Sequence, residues 1–223
     1  MKCFVKLTII AGILLFIVSG VFGQQAVVQD ITGTVEIKQK GGTVWEPVSK
    51  GQSISVDTTI STGFRSMAMI KLGSSMLTVR PLTRMTITEI SSRTEIETIN
   101  VSLQAGRVYA DVKSPSGGAK TTSKIIMPVA TASTRGTVFE VDVFRLWVIE
   151  GTVEFTGTSG APVLVDAGRS SYINSKTGRP VPPEESFIDD LRPDLPLASE
   201  LVNSAGRAAK KANNFETEAA LDF

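Results

Sequence analysis

The stretch ATASTRGTVFEVDVFRLWVIEGTVEF (Ala130–Phe155) decides the fold. It reads as strand, tight Arg135-Gly136-Thr137 turn, strand, short turn, strand. After the tight turn, Phe139, Val141 and Val143 alternate with Glu140, Asp142 and Phe144. Side chains on a strand point to opposite faces with period two, so one face is apolar and the other mostly polar. That register predicts Phe139 in the core and Glu140 on the surface. Further on, Trp147, Ile149, Val153 and Phe155 share one face, and Val148, Glu150, Thr152 and Glu154 the other, with Gly151 at a bend. This phase predicts a core position for Trp147.

Working outward, almost every segment from Ala26 to Tyr172 is strand-like. Ile31, Val35 and Ile37 alternate with polar residues, as do Ala68, Ile70 and Leu72, then Leu77 and Val79 up to Pro81. Met85 and Ile87, Ile99 to Leu103, Val108 to Val112 and Ile125 to Val129 continue the pattern, which Val163, Val165, Tyr172 and Ile173 close. This predicts roughly 12 to 14 short strands at spacings of about 8–12 residues, an all-β pattern. An internal echo runs through it: Gly33-Thr-Val-Glu-Ile37 resembles Gly151-Thr-Val-Glu-Phe155, and Gly106-Arg-Val108 is a shorter version. An apolar residue also stands three before a glycine in Val48/Gly51, Leu103/Gly106, Val148/Gly151 and Val165/Gly168. Stacked solenoid turns and the corners of a sandwich both account for such echoes. The expected fold is all-β, short stacked strands forming a solenoid-like β-sandwich, with one short C-terminal helix.

The ends have a different character. Lys2 and Lys6 precede an apolar run from Leu7 to Val18, and Val21-Phe22-Gly23 offers a cleavage site before Gln24. Residues 1–23 are therefore expected to be a Sec-type signal peptide, and the protein periplasmic or secreted. Membrane contact is expected only if that segment is left uncleaved. Residues 24–178 form the expected all-β domain. Residues 179–196, with Pro180, Pro182, Pro183, Pro193 and Pro196, read as a linker or strap. Residues 197–223 read as a helix over Leu197–Ala212, with Leu197, Leu201, Ala205 and Ala208 on one face, and an acidic tail over the last eleven residues.

Composition excludes several chemistries. Across 223 residues, 23 Lys and Arg stand against 22 Asp and Glu, which argues against a dedicated nucleic-acid binder. There is no histidine, and the one cysteine, Cys3, lies in the signal segment. Ser-His-Asp and Cys-His catalysis and disulfides are thereby removed from the mature chain, and a zinc centre is not expected. No cofactor or metal is expected.

An ordered set of residues carries a family resemblance: Gly33-x-Val35, Trp45, Gly51, Asp57, Thr62-Gly63, Ala68-x-Ile70-x-Leu72-Gly73-Ser74, Val101-x-Leu103-x-x-Gly106-x-Val108, Thr131, Arg135-Gly136-Thr137-x-Phe139-x-Val141, Val148-x-x-Gly151-x-Val153 and Ala167-Gly168. Over residues 28–170 this resembles the FecR domain, the extracytoplasmic sensor module named after the ferric-citrate regulator. The resemblance implies an all-β domain of stacked strands without catalysis. FecR regulators place a cytoplasmic anti-sigma segment and one membrane helix before this domain, which contacts the signalling domain of an outer-membrane transporter. Here the apolar run begins close to Met1, so no cytoplasmic segment is expected. The expected function is a non-enzymatic exported binding or scaffolding module contacting an envelope protein or glycan. The alternatives are a membrane-anchored sensor in cell-surface signalling and a carbohydrate-active enzyme.

Candidate sites follow from side-chain chemistry. Arg135, beside the Gly136 and Thr137 backbone, could grip a carboxylate or phosphate, although the triplet also serves as a plain turn. Trp45, Trp147, Tyr109 and Tyr172 could form a sugar-stacking platform. Lys113, Lys120 and Lys124 bracket a Gly-rich loop and could meet an anionic polymer. Ser116–Thr122 resembles a phosphate loop but lacks a glycine directly before Lys120. Glu140 and Asp142, two apart on one strand face and about 7 Å apart by strand rise, could serve as an acid pair, with Glu150 and Glu154 as further candidates. Arg135, Trp45 and Lys120 are the expected partner-binding residues.

Overall fold

The computed structural model describes residues 26–93, 95–115 and 120–185. All belong to one compact unit ending at Ser186. The expected signal peptide, C-terminal helix and acidic tail lie outside the described residues.

Eighteen strands are described: β1 (Ala26–Thr32), β2 (Val35–Lys38), β3 (Glu46–Pro47), β4 (Ser53–Ile54), β5 (Thr59–Thr62), β6 (Met67–Leu72), β7 (Ser75–Val79), β8 (Arg84–Arg93), β9 (Ile96–Ala105), β10 (Arg107–Asp111), β11 (Lys120–Ile126), β12 (Ala130–Thr134), β13 (Val138–Asp142), β14 (Arg145–Glu150), β15 (Thr152–Gly157), β16 (Val163–Asp166), β17 (Arg169–Tyr172) and β18 (Glu184–Glu185). They form two nine-stranded sheets. Sheet A runs β18-β17-β14-β13-β10-β7-β6-β1-β4, and sheet B runs β16-β15-β12-β11-β9-β8-β5-β2-β3. The expected all-β sandwich is what the structure shows, with no helix among the described residues.

The chain shuttles between the sheets, never laying more than two consecutive described strands in one of them. Even the parallel pair β9 and β11 of sheet B is joined through β10 of sheet A. The echoing glycines of the sequence mark these crossings. Gly33, Gly51, Gly106, Gly151 and Gly168 all have positive φ, and each stands where the chain changes sheet. Two show why only glycine fits. At Gly106 (φ 83°) a Cβ would lie 2.3 Å from Thr83 Oγ1 and 2.5 Å from Thr83 Cα. At Gly151 (φ 80°) it would lie 2.6 Å from Thr137 Cγ2. Any side chain there meets both left-handed strain and a steric clash.

Inward faces of both sheets make one core, in which Phe139 of β13 and Phe155 of β15 are the largest fully buried side chains. The alternation predicted for β13 holds, with Phe139 and Val141 buried. Burying a phenylalanine contributes about 2–3 kcal/mol relative to leaving it exposed. In β14 the predicted phase is reversed: Leu146 and Val148 are buried, whereas Trp147 and Ile149 are only partly covered. The cause is the hairpin register of β13 and β14, which pairs Val141 with Leu146, outward Glu140 with Trp147 and Phe139 with Val148; a bulge follows at Ile149, before Glu150 pairs with Val138. The Gly151 crossing then resets the phase, so Val153 and Phe155 point inward in the other sheet.

Candidate functional site

Outer-face residues of sheet A align into two cross-strand rows. Directly paired residues of neighbouring antiparallel strands present their side chains on the same face. One row runs Thr78, Tyr109, Glu140, Trp147, Ser170 across β7, β10, β13, β14 and β17. The next, one step towards the strand ends, runs Arg80, Arg107, Asp142, Arg145, Tyr172; Arg80 joins it through its backbone N–H, which donates to the Arg107 carbonyl at 3.0 Å.

The rows interlock around Glu140. Its side chain is 2% exposed although it sits on the outward face. Arg80 Nη2 donates to Oε2 at 2.9 Å, and Arg107 Nη1 lies 3.3 Å from Oε1. The surface position predicted for Glu140 is therefore overturned: Arg107 of the adjacent strand β10 and Arg80, just past β7 beyond it, roof the carboxylate. Arg107 is 46% exposed and stacks over Trp147 at 5.1 Å from the ring centroid. Arg145 lies 5.5 Å from the Trp147 ring and 5.6 Å from the Tyr172 ring. Burial, then the carboxylates of Asp111 and Glu150, raise the Tyr109 phenol above its ordinary 10.0; the Arg80 guanidinium opposes them and Glu140 adds to them.

This arrangement disposes of the acid pair. Glu140 is held by two guanidiniums, and Asp142 Oδ1 accepts the backbone N–H groups of Phe144 and Arg145 at 2.8 Å each. Neither is a free acid or base of the kind a glycosidase needs. Glu150 and Glu154 lie on different sheets. Trp147 shares the outer face with Tyr109 and Tyr172, but Trp45 belongs to the far edge of sheet B, where Lys38 and Arg84 lie 5.0 and 5.4 Å from its ring. Each indole is thus attended by two cations, which compete with a sugar for the ring faces.

The expected partner-binding residues do not converge. Arg135 is exposed at the β12–β13 crossing and forms no ion pair among the described residues. Lys120 is exposed at the start of β11. It stands five strands from Trp45's edge, about 24 Å at ~4.8 Å per strand. Lys113 is paired with Asp111 at 2.9 Å, which raises its ammonium pKa. The sequence reading missed Arg80, Arg107 and Arg145. Each immediately precedes or follows a turn, at a strand end, and their convergence rests on long-range register. The one signal was Gly106-Arg107-Val108, whose glycine sets the strand start.

A second buried carboxylate lies on the inward side of sheet B. Glu97 of β9 is 3% exposed and reaches the β6–β7 turn of sheet A. The Ser74 N–H donates to its Oε1 at 3.2 Å, Thr121 Oγ1 donates to Oε2 at 2.9 Å, and the Ser74 hydroxyl contacts Oε2 and the Lys113 carbonyl. All of these partners are neutral.

The fold is an all-β sandwich with an arginine–aromatic outer surface on sheet A. Residues 58–154 match the family described as FecR protein. Two crystal structures of a "putative anti-sigma factor" from Parabacteroides distasonis ATCC 8503 are similar at 16% identity, with TM-scores of 0.48 and 0.47. Each alignment covers 60% of this chain and 62% of that one, so the chain spans less than two thirds of the structures it matches. No curated protein matches the chain.

Proposed function

We propose that this chain is a non-enzymatic, exported binding or scaffolding module of the cell envelope that engages a protein partner through the outer face of sheet A. The observation that carries the reading is the composition of that face. Of the eight exposed large hydrophobics among the described residues, Phe144 and Tyr172 stand beside Arg107 and Arg145 at one end of it, and Phe64, Leu82 and Arg65 lie in the sheet crossings that flank β6 and β7 at that same end. Aromatic residues and arginine are the types enriched where proteins meet. The FecR match supports an envelope role. Cations over both indoles favour a protein over a stacked sugar.

The test is cross-linking in native envelope with full-length chain, comparing wild type, Arg145→Glu and Trp45→Ala. One specific protein cross-linked by wild type and Trp45→Ala, and lost in Arg145→Glu, is expected. A partner set unchanged by Arg145→Glu overturns the assignment of the face. Fractionation and N-terminal sequencing decide between the free module, starting at Gln24, and the anchored sensor, which retains its first residues in the membrane fraction.

A further inference from the structure

We infer that the partner segment accepted by this face is acidic, with carboxylates flanked by apolar side chains. The inference rests on the protein-docking reading above and supplies the chemistry of the ligand. At this end of sheet A lie four arginines, Arg80, Arg107 and Arg145 in the outer row and Arg65 in the crossing before β6, against two carboxylates, Glu140 and Asp142. The local surplus is two positive charges in a chain whose formal net charge is +1. Both carboxylates are already engaged, Glu140 beneath Arg80 and Arg107, and Asp142 by backbone N–H groups. Arg65 and Arg145 form no ion pair among the described residues. Instead Arg65 lies 5.3 Å from the Phe64 ring, and Arg145 is shared between Trp147 and Tyr172.

Guanidiniums held over aromatic rings rather than paired with a carboxylate keep N–H donors for a ligand's carboxylate. That preorganisation lowers the entropy lost on binding, and the planar fork suits two-point recognition of a carboxylate. Exposed Phe64, Leu82 and Phe144 beside the arginines leave apolar surface that a uronic-acid polymer would not cover. A protein segment alternating acidic and apolar residues covers both.

The experiment uses full-length chain carrying Trp45→Phe, so that Trp147 fluorescence reports on this face alone. The probes are a blocked peptide alternating Glu and Asp with Leu and Phe, its twin with Gln and Asn in place of the acids, polygalacturonate, and vesicles of phosphatidylcholine with phosphatidylglycerol. Saturable binding of the acidic peptide is expected, about ten-fold tighter than the twin, weakened by salt, and reduced about ten-fold in Arg145→Gln and in Arg107→Gln. Arg145 has no ion pair to lose, so its variant separates recognition from folding. Equal binding of peptide and twin, or no effect of Arg145→Gln, overturns the inference. So does preference for the polymer or the vesicles over the peptide. A native partner that depends on this face but ignores salt and Arg145→Gln would leave the docking reading standing and remove only its acidic character.

Discussion

Glu140 and Glu97 are both buried to within a few per cent, yet they reach that state from opposite sides of a sheet. Glu97 follows the inward phase of β9, shared with Ile99, Val101 and Leu103, and enters the end of the core. Glu140 follows the outward phase of β13 and is covered from above by Arg80 and Arg107. Glu97 is satisfied by hydroxyls and one backbone N–H, all neutral, and fastens a turn of one sheet to a strand of the other. Glu140 is satisfied by charge, and it holds in place the guanidiniums that the outer face presents. The contrast teaches that strand phase decides which side a residue faces, while neighbouring strands decide whether that side meets water.

The largest expected effect breaks the ionic member. Glu140→Ala leaves Arg80, whose Nε already has no hydrogen-bond partner, beside Arg107 without their shared counter-ion. Removing one partner of a buried pair costs about 3 kcal/mol, and chemical denaturation measures it. A surface glutamate would cost within about half a kcal/mol. Next comes Gly73→Ala, which attacks the neutral member. Gly73 has φ 56°, and an added Cβ would lie 1.7 Å from Glu97 Oε1. We expect a loss of about 2 kcal/mol, of which roughly 1 kcal/mol is left-handed strain. In a Glu97→Ala background only the strain should remain, so the two losses will not add. Glu97→Gln is milder, about 1 kcal/mol, because the amide keeps one acceptor but turns donors towards Thr121 and Ser74.

These particular residues also show what the sequence made legible. Period-two alternation placed Phe139, Val141, Val153 and Phe155 in the core because it depends only on the local pleat. The repeated glycines marked sheet crossings because left-handed backbone is written into residue type. Trp147 was misplaced because the alternation of Val153 and Phe155 was extended back across Gly151, where the chain changes sheet, whereas the β13–β14 hairpin pairs Trp147 with outward Glu140. Glu140 was misplaced because its cover comes from Arg80 and Arg107, distant in sequence and adjacent only through the strand order of sheet A. The site is a product of that order, so Arg80 and Arg145 carried no local motif and Gly106-Arg107-Val108 marked only a strand start.

The smallest expected effect is electrostatic, and it separates the two glutamates without unfolding anything. Tyr109 pairs directly with Glu140 in the β10–β13 ladder, and burial holds its phenol above 10.0. Because the folded value is raised, the associated stability is fully present below the unfolded pKa and is lost as pH rises through the folded one. Glu140 contributes to the rise through its charge, and Arg80 opposes it. Glu140→Gln therefore lowers the Tyr109 pKa twice over, by deleting an anion and by freeing Arg80 from its counter-ion. The value stays above 10.0 because burial is the largest cause. Glu97 has no part in the shift, so Glu97→Gln leaves the titration in place. Phenolate absorbance in a Tyr172→Phe background isolates Tyr109, the other of the two tyrosines. Equal movement in both variants would mean that Glu140 does not act on Tyr109 through its charge, and that the outer face of sheet A is not the coupled ionic surface its geometry describes.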